Sequence, residues 1–367
     1  MDSNLKIGGL LRDLANVQAS KHSKWGYKRA ASAVMNLTVP IESLRNPDGT
    51  FQKISGIGPS STRVITEVLD SGTSEIVNKA VATSGKAADI ENRRQWQRDF
   101  LSRAQVVAAN GSESVPKGTV AVDDCLADFQ MHSTWSDGSE SLDEMADGCM
   151  ARGYTHCVMT DHSHGLKIAG GMSMDDLRLQ HAEIDTINRR SANRFRIIKG
   201  VEANIRADGS LDMSADELDL LEFVVAAPHA VLRSLEDQTD RMLAVVANPQ
   251  VRVLGHARGR MFGSRPGVSA DWPRVFKAAA EHGVAIEIDG DPSRQDVDFS
   301  LARLALGAGC LFALSSDAHA SSQLRYIETA VAHARLAGVP KERVINTWPL
   351  ERLLDWARRT QMTEMGS

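Results

Sequence analysis

From residue 125 onward the chain alternates short β-rich runs with helical patterns, and this rhythm limits the available folds more than any other feature. The β-rich runs fall at 125–131, 156–160, 196–199, 223–226, 252–254, 284–288 and 311–314. Helical patterns separate or follow them at 142–152, 175–190, 235–247, 272–282, 299–306 and 324–337. A strand, a helix and another strand return the chain to the same end of a sheet, so neighbouring strands run parallel. About seven such units favour a barrel over an open sheet. The expectation is an α/β fold, a (β/α)7 barrel.

The ends of the runs carry the chemistry. The first stops in FQMHSTWSDG, 129–138, with His132 and Asp137; Gln130, two before His132, shares its face in an extended strand. The next ends are TDHSH (Asp161, His162, His164), GVEAN (Glu202) and APH (His229). The last three are GHARGR (His256), EIDGD (Glu287, Asp289) and SSDAH (Asp317, His319). Loops at the C-terminal ends of barrel strands open on one rim, so these side chains are expected to converge. A single strand-end histidine is usually a hydrogen-bonding residue; imidazole and carboxylate at so many independent ends predict a metal cluster. Imidazole suits zinc, manganese and iron, and a shared carboxylate suits a multinuclear centre. With no cysteine among the donors and no redox-cofactor motif nearby, the chemistry reads as hydrolytic.

Composition sets the limits around that site. The chain is 42% hydrophobic and 24% charged with a net charge of −5, and its four cysteines form no CxxC pair. This suits a reducing, cytoplasmic setting. The opening MDSNLKIGGLLRDLANVQ is amphipathic rather than a signal sequence, and no apolar run reaches the ~18 residues of a membrane span. ENRRQWQRDFLSRAQVVAAN, 91–110, reads as one helix, and GSESVPKGTVAVDD behind it as a polar connector. The expected division is therefore a first domain at 1–82, a linking helix and connector at 83–124, and the barrel at 125–367. Residues 1–82 hold ten Lys and Arg against seven Asp and Glu, a surplus that suits an anionic partner without requiring one.

The motifs FQMHSTWSDG, GYTHCVMTDHSHGLKIAGGMS, IKGVEANI, APHA, LGHARGR, AIEIDGDPSR and SSDAH, in this order, resemble the PHP (polymerase and histidinol phosphatase) domain. They are most similar to the version attached to bacterial family X DNA polymerases, over about residues 125–345. The resemblance implies a (β/α)7 barrel with up to three divalent ions (zinc, manganese or iron) and phosphoesterase activity. Its ligands would be His132, Asp137, His162, Glu202, His229, His256, Asp317 and His319. Gln130, His132, Glu202 and Asp317 would surround one ion; Glu202, His229 and His256 a second; Asp137, His162 and His319 a third. The family's first motif is His-x-His, and here its first histidine is Gln130. Either the amide oxygen weakens that subsite, or makes it selective for a harder ion, or it replaces imidazole with activity retained. A divalent ion lowers the pKa of water toward about 7 and stabilises phosphoryl oxygens. Arg260 and Arg294 beside the fifth and sixth strand ends are candidates to hold phosphate, or else rim ion pairs with Asp291 or Asp296. Glu287 matches a family position that is not a ligand. His164, Lys167 and GGMS (170–173) line either the substrate cleft or an ordinary surface loop.

The first domain has its own signal. FQKISGIGPSSTRVITEVLDSG, 51–72, places Gly56-Ile57-Gly58 between two apparent helical stretches rather than after a strand, so it is no dinucleotide fingerprint. Glycine leaves backbone amides open to phosphate at a helix N-terminus. The stretch resembles a helix-hairpin-helix, which implies sequence-independent DNA binding assisted by a monovalent cation. Tyr27, Lys28 and Arg29 match the aromatic–basic segment of the small DNA-end-binding domain of family X polymerases. In those polymerases a lyase lysine lies eight positions beyond the first glycine; that position here is Val64, so Schiff-base chemistry is not expected. An interaction or dimerisation module is the plainer reading. Only about 40 residues separate the two parts, which leaves no room for a polymerase palm.

Three functions remain open at this level. The first is a metal-dependent phosphoesterase on DNA ends or single strands, of 3′-5′ exonuclease or 3′-phosphatase type. The second is a phosphatase for a small phosphomonoester such as histidinol phosphate. The third is a DNA-binding protein with a weakened site.

Overall fold

A computed structural model describes residues 2–192 and 194–362. The chain divides into two units, one made of the residues up to Ser112 together with Phe262–Arg265, the other of the remainder. The first unit thus runs past residue 82 and takes in the segment expected to be a linker.

Capping side chains start most helices of the first unit. The Asp2 carboxylate accepts the Leu5 N–H ahead of α1 (Ser3–Val17), and Ser20 opens α2 (Lys21–Met35). Pro59 follows Gly58 to begin α3 (Pro59–Ser71), which closes on left-handed Gly72. Ser74 caps α4 (Glu75–Thr83), followed by α5 (Ala87–Gln95) and α6 (Arg103–Gly111). Ile7, Leu11 and Leu14 of α1 meet Ala30, Ala31 and Val34 of α2 and Val64, Ile65 and Val68 of α3, each set at helical spacing. The close approach of α1 to α2 needs Gly8, where a Cβ would lie 2.6 Å from Met35 Cγ.

Two expectations fail here. Residues 91–110 do not form one helix: α5 ends at Gln95, Asp99 takes a φ of 58°, and α6 starts afresh from a Ser102–Gln105 capping box. The reciprocal Ser and Gln hydrogen bonds define a helix start inside what reads as a continuous pattern. Nor is Gly56-Ile57-Gly58 flanked by two helices. Before it stands only a single 3-10 turn, Ile41–Leu44, and a bridge between Arg45 and Phe51 closed by an Asn-Pro-Asp-Gly turn. Ile54 and Ile57 still pack on the core, and α3 follows at once.

The second unit begins with α7 (Leu142–Ala151), β1 (His156–Met159), α8 (Met174–Ser191) and β2 (Arg196–Ile205). Next come α9 (Ala215–Leu218), β3 (Phe223–Pro228), α10 (Thr239–Val246), β4 (Val253–Leu254) and α11 (Trp272–His282). It ends with β5 (Ala285–Asp289), α12 (Phe299–Gly307), β6 (Phe312–Ser315), α13 (Ile327–Ala337) and α14 (Leu350–Met362). The six strands form one parallel sheet in chain order. It curls, and the stagger shows in β2: Arg196 to Lys199 pair with β1, whereas Gly200 to Ile205 pair with β3.

Among the described residues there are six regular strands where seven were expected. The missing one is the run at 125–131, which makes only a single bridge, Met131 to Ala318. It nevertheless lies along β1, since the carbonyls of Leu126, Asp128 and Met131 accept N–H groups of Thr155, Val158 and Thr160. On its other side, side chains replace the ladder. Asn346 donates to the carbonyls of both Ala127 and Leu314 and accepts the Leu314 N–H. Asp128 Oδ1 accepts the N–H groups of Gln130 and Ser316. Buried side-chain groups satisfy the backbone here, so the segment needs no strand pairing with β6.

The inner face of the sheet is one apolar cluster to which every strand contributes. Val158, Ile198, Val225, Val253, Ala285 and Ala313 meet there, with Trp348, Leu353 and Ala357 of the C-terminal region against them.

Candidate metal centre

Strand alternation carries this apolar face up to a polar one. Two and four residues beyond each inner apolar side chain the same face is presented again: Val158 leads through Thr160 to His162, Ile198 through Gly200 to Glu202. Likewise Val225 leads to His229 and Ala313 through Ser315 to Asp317. The donors thus gather at the C-terminal ends of the strands.

Glu202 lies at the centre, fully buried. Its Oε1 is 2.8 Å from His256 Nε2 and 3.2 Å from His229 Nε2; its Oε2 is 3.2 Å from His162 Nδ1 and 3.3 Å from His132 Nε2. Asp317 Oδ1 lies 3.1 Å from His132 Nε2. Asp137 Oδ1 lies 3.3 Å from His319 Nε2 and 3.5 Å from His162 Nε2. Three sets bring their donor atoms within 4.8 Å of one another: His132, Asp137, His162 and His319; His162, Glu202 and His229; and His132, Glu202 and Asp317. They match the expected grouping closely, except that His132 and His162 each serve two sets and His256 reaches the cluster through Glu202.

The donors are held in place from behind. Asn204 Oδ1 faces His229 Nδ1 at 3.2 Å, which turns Nε2 toward Glu202. His319 Nδ1 faces the Asp317 carbonyl at 2.9 Å with the same consequence. Asp161 accepts from Ser133 N, Ser133 Oγ, Ser136 Oγ and Gln180 Nε2, and so fixes the loop that carries His132 and Asp137. Asp212 accepts from Ser163 Oγ and from the N–H groups of Gly165 and Asn204. The sequence reading gave no role to Asn204 or Asp212 and assigned Asp161 no function. Asn204 was findable, because it sits two residues beyond Glu202 on the same strand face.

Electrostatics follow from burial among these neighbours. Burial works to raise the Asp137 carboxyl, yet hydrogen bonds from His162 and His319 hold it far below the usual carboxylate range. Burial likewise opposes ionisation of Glu202, and the surrounding His162, His229 and His256 pull its pKa well down. His319 is disfavoured as a cation by burial but is pushed up to about 9 by its hydrogen bond to Asp137 and by the charge of Asp317. Beneath the donors, burial pushes Glu287 and Asp289 well up, toward neutral carboxyls.

The donor set fits divalent ions on a direct observation. Gln130 Oε1 and Nε2, His132 Nδ1, His162 Nδ1, Glu202 Oε2, His229 Nε2 and His256 Nδ1 are all buried without a hydrogen-bond partner. Buried polar atoms rarely stay unsatisfied, so such a concentration points to coordination. Gln130 itself is fully buried, and its amide oxygen would stand 3.2 Å from a Cβ added at Gly255.

Other candidates part company. Arg260 is only 2% exposed, paired with Asp298 at 3.0 Å and donating to the carbonyls of Arg294 and Gln295. Its guanidinium is committed to this loop, so it is not the phosphate holder expected. Glu287 accepts the His256 N–H at 2.6 Å from a fully buried position and so supports the His256 loop. Arg294 does reach the donors, with Nε 3.4 Å from Asp317 Oδ2. His164 turns instead toward Glu217, at 3.9 Å.

In the first unit, Gly56 adopts a φ of 85°, and the turn with Gly58 borders a groove of about 560 Å³ shared with Arg29, Ser32 and Asn36. Tyr27 and Arg29 line an adjoining groove of about 270 Å³ on the other side of Gly56 and Gly58. Lys28 is exposed, its ammonium 5.4 Å from the ring centre of exposed Trp25. Tyr27 and Arg29 therefore lie beside the glycine turn, whereas Lys28 lines neither groove.

The curled parallel sheet carries a rim of imidazoles and carboxylates able to hold divalent ions, and the chain is similar to proteins of two kinds. The chain is homologous over 225 residues, at 35% identity, to the DNA polymerase/3′-5′ exonuclease PolX of Bacillus subtilis. The match covers 61% of this chain and 39% of that polymerase, so the chain spans well under half of its relative's length. It is also 27% identical over 251 residues to the probable phosphatase YcdX of Escherichia coli, covering 65% of this chain and 96% of the phosphatase. Among solved structures, a histidinol phosphate phosphatase of Lactococcus lactis superposes with a TM-score of 0.42 at 16% identity, over 57% of this chain and 93% of that one. No family model matches the sequence. Among the described residues no helix is long and apolar enough to cross a membrane.

Proposed function

We propose that the chain hydrolyses phosphoester bonds at DNA ends, as a 3′-5′ exonuclease or 3′-phosphatase, with divalent ions held at the strand-end rim. The observation that carries this reading is Glu202: a fully buried carboxylate within 3.3 Å of four imidazoles has a use only as a shared ligand. Divalent ions bound there supply activated water and charge stabilisation for the phosphoryl oxygens. The chain's own part is to position them. Asp137, Glu202 and Asp317 furnish anionic donors, Asn204 and the Asp317 carbonyl orient His229 and His319, and Arg294 Nη1, buried without an acceptor beside the cluster, suits a phosphate oxygen.

The choice of DNA rests on the first unit and on the homology to an exonuclease-bearing polymerase. Arg29, with the amides of Gly56 and Gly58 at the start of α3 and exposed Lys28 on α2, suits backbone phosphates, and a monovalent cation at that turn fits the same role. A second reading, a small-phosphomonoester phosphatase, is favoured by the alignment to nearly the whole length of YcdX.

One assay separates them. The purified chain with manganese receives a 5′-labelled single-stranded oligonucleotide bearing a 3′-phosphate, p-nitrophenyl phosphate and histidinol phosphate, beside a His162→Ala, His229→Ala variant. A shortening ladder or loss of the 3′-phosphate that disappears in the variant establishes the DNA reading. Turnover of the small esters alone replaces it with the second. Inactivity on all three with ions retained leaves a DNA-binding protein with a weakened site.

A further inference from the structure

The corner of the centre made by His132, Glu202 and Asp317 has an arginine beside it. Arg294 Nε lies 3.4 Å from Asp317 Oδ2, while the other oxygen of the same carboxylate lies 3.1 Å from His132 Nε2. This guanidinium is placed by a buried framework rather than by a free surface rotamer. Arg260 Nε donates to the carbonyls of Arg294 and Gln295, each at 3.1 Å, and its Nη2 donates to Gln295 at 2.6 Å. Asp298 holds Arg260 and also Arg258, at 2.8 Å. From α13, His333 Nε2 meets Gln295 Oε1 at 2.9 Å. Networks of buried, mutually satisfied polar groups are stiff, and this one ends on the residue whose side chain faces Asp317.

Gln130 adds a second, independent peculiarity. It is the residue that the PHP resemblance brings to the same corner as Asp317, and it offers a neutral amide, with both polar atoms buried and unpartnered. Charge balance then distinguishes the corners. The ligand carboxylates are Asp137, Glu202 and Asp317, shared among three sets. Among those sets, only the one containing Asp317 has a carboxylate with a permanent cation already against it. A divalent ion entering there meets guanidinium repulsion in a low-dielectric interior and gains no imidazole from position 130.

We propose that Arg294 is a resident cation of the centre that competes with a divalent ion for Asp317, so that two ions are held tightly and the third subsite fills only at high metal concentration. The inference rests on the metal-centre reading and specifies its stoichiometry.

Counting ions tests it without reference to activity. The full chain is stripped with a chelator, reloaded with manganese and desalted; retained ions are counted by plasma mass spectrometry and the rest titrated by calorimetry. The wild type is expected to keep two ions per chain and to bind a third at least ~100-fold more weakly. Arg294→Met is expected to tighten the third by at least ~10-fold, Arg294→Lys to leave it weak, and Gln130→His to tighten it independently, each with a wild-type circular-dichroism spectrum. Three tightly held ions in the wild type overturn the proposal, as does a folded Arg294→Met with unchanged third-ion affinity. Should that variant fail to fold, Arg294→Gln takes its place, and an unchanged third-ion affinity in it overturns the proposal. A wild type that neither retains nor titrates any ion removes the metal centre itself, and the proposal with it.

Discussion

The two units present their polar groups in opposite ways. In the sheet unit the polar groups are side chains, most of them buried at strand ends and aimed at one another, and several of their atoms lack a hydrogen-bond partner in the chain. In the helical unit the candidate groups are exposed lysine and arginine side chains and the backbone amides of a glycine turn, all of which water can satisfy. A buried donor cluster constrains its own ligands to the ångström, as the proposed chemistry requires. An exposed basic surface tolerates many arrangements and suits binding without sequence preference.

The strongest way to break this contrast is to remove donors. His162→Ala combined with His229→Ala should lower phosphoester hydrolysis by about 10³-fold or more while DNA affinity, measured by fluorescence anisotropy, changes by less than about 3-fold. Equal losses in both would mean that the two units do not divide binding and chemistry. Next in size is Asn204→Ala, expected to weaken metal binding by about 10–100-fold through loss of the His229 orientation, read by manganese calorimetry. An unaffected affinity would show that the Asn204 contact does not orient His229. The mirror experiment is Lys28→Ala with Arg29→Ala, which should weaken DNA binding by about 10-fold and flatten its salt dependence, with p-nitrophenyl phosphate turnover unchanged. A normal salt slope would take the surface out of the account.

The smallest effect is a pH dependence. With its pKa raised to about 9, His319 in the metal-free protein keeps its proton beside an ionised Asp137. Its pairing stabilises the fold fully below the ordinary histidine pKa of about 6.5, and that contribution is lost as pH rises through about 9. Because an ion must displace this proton, metal affinity should climb across the same interval and level off above it. Calorimetry in buffers of different ionisation enthalpy would count the proton released; a flat profile would show that His319 is not protonated where the ion binds.

What could be read in advance differed between the units for the same reason. The donors of the sheet unit are individually distinctive side chains at the ends of β-rich runs, so His132, His162, Glu202, His229, His256, Asp317 and His319 were nameable one by one. Arg260 misled because a rim position and a buried anchor share the same sequence context; only the Asp298 and Gln295 contacts separate them. In the helical unit the glycine turn was legible. The helix expected before it was not, since an Asn-Pro-Asp-Gly turn stands there, and the single helix expected at 91–110 is broken where the Ser102 capping box starts α6; both act over a few residues against the longer apolar pattern.

By itself the sequence determined the alternation of strands and helices, the division into two parts and the donor types, because period and residue chemistry are local properties. Tertiary structure alone decided that the segment at 125–131 is held by Asn346 and Asp128 rather than by a full ladder. It also decided that His132 and His162 each serve two of the sets and that Arg294 faces Asp317. Each of these depends on distances between residues far apart in the chain, which the curl and stagger of the sheet set and no local pattern encodes.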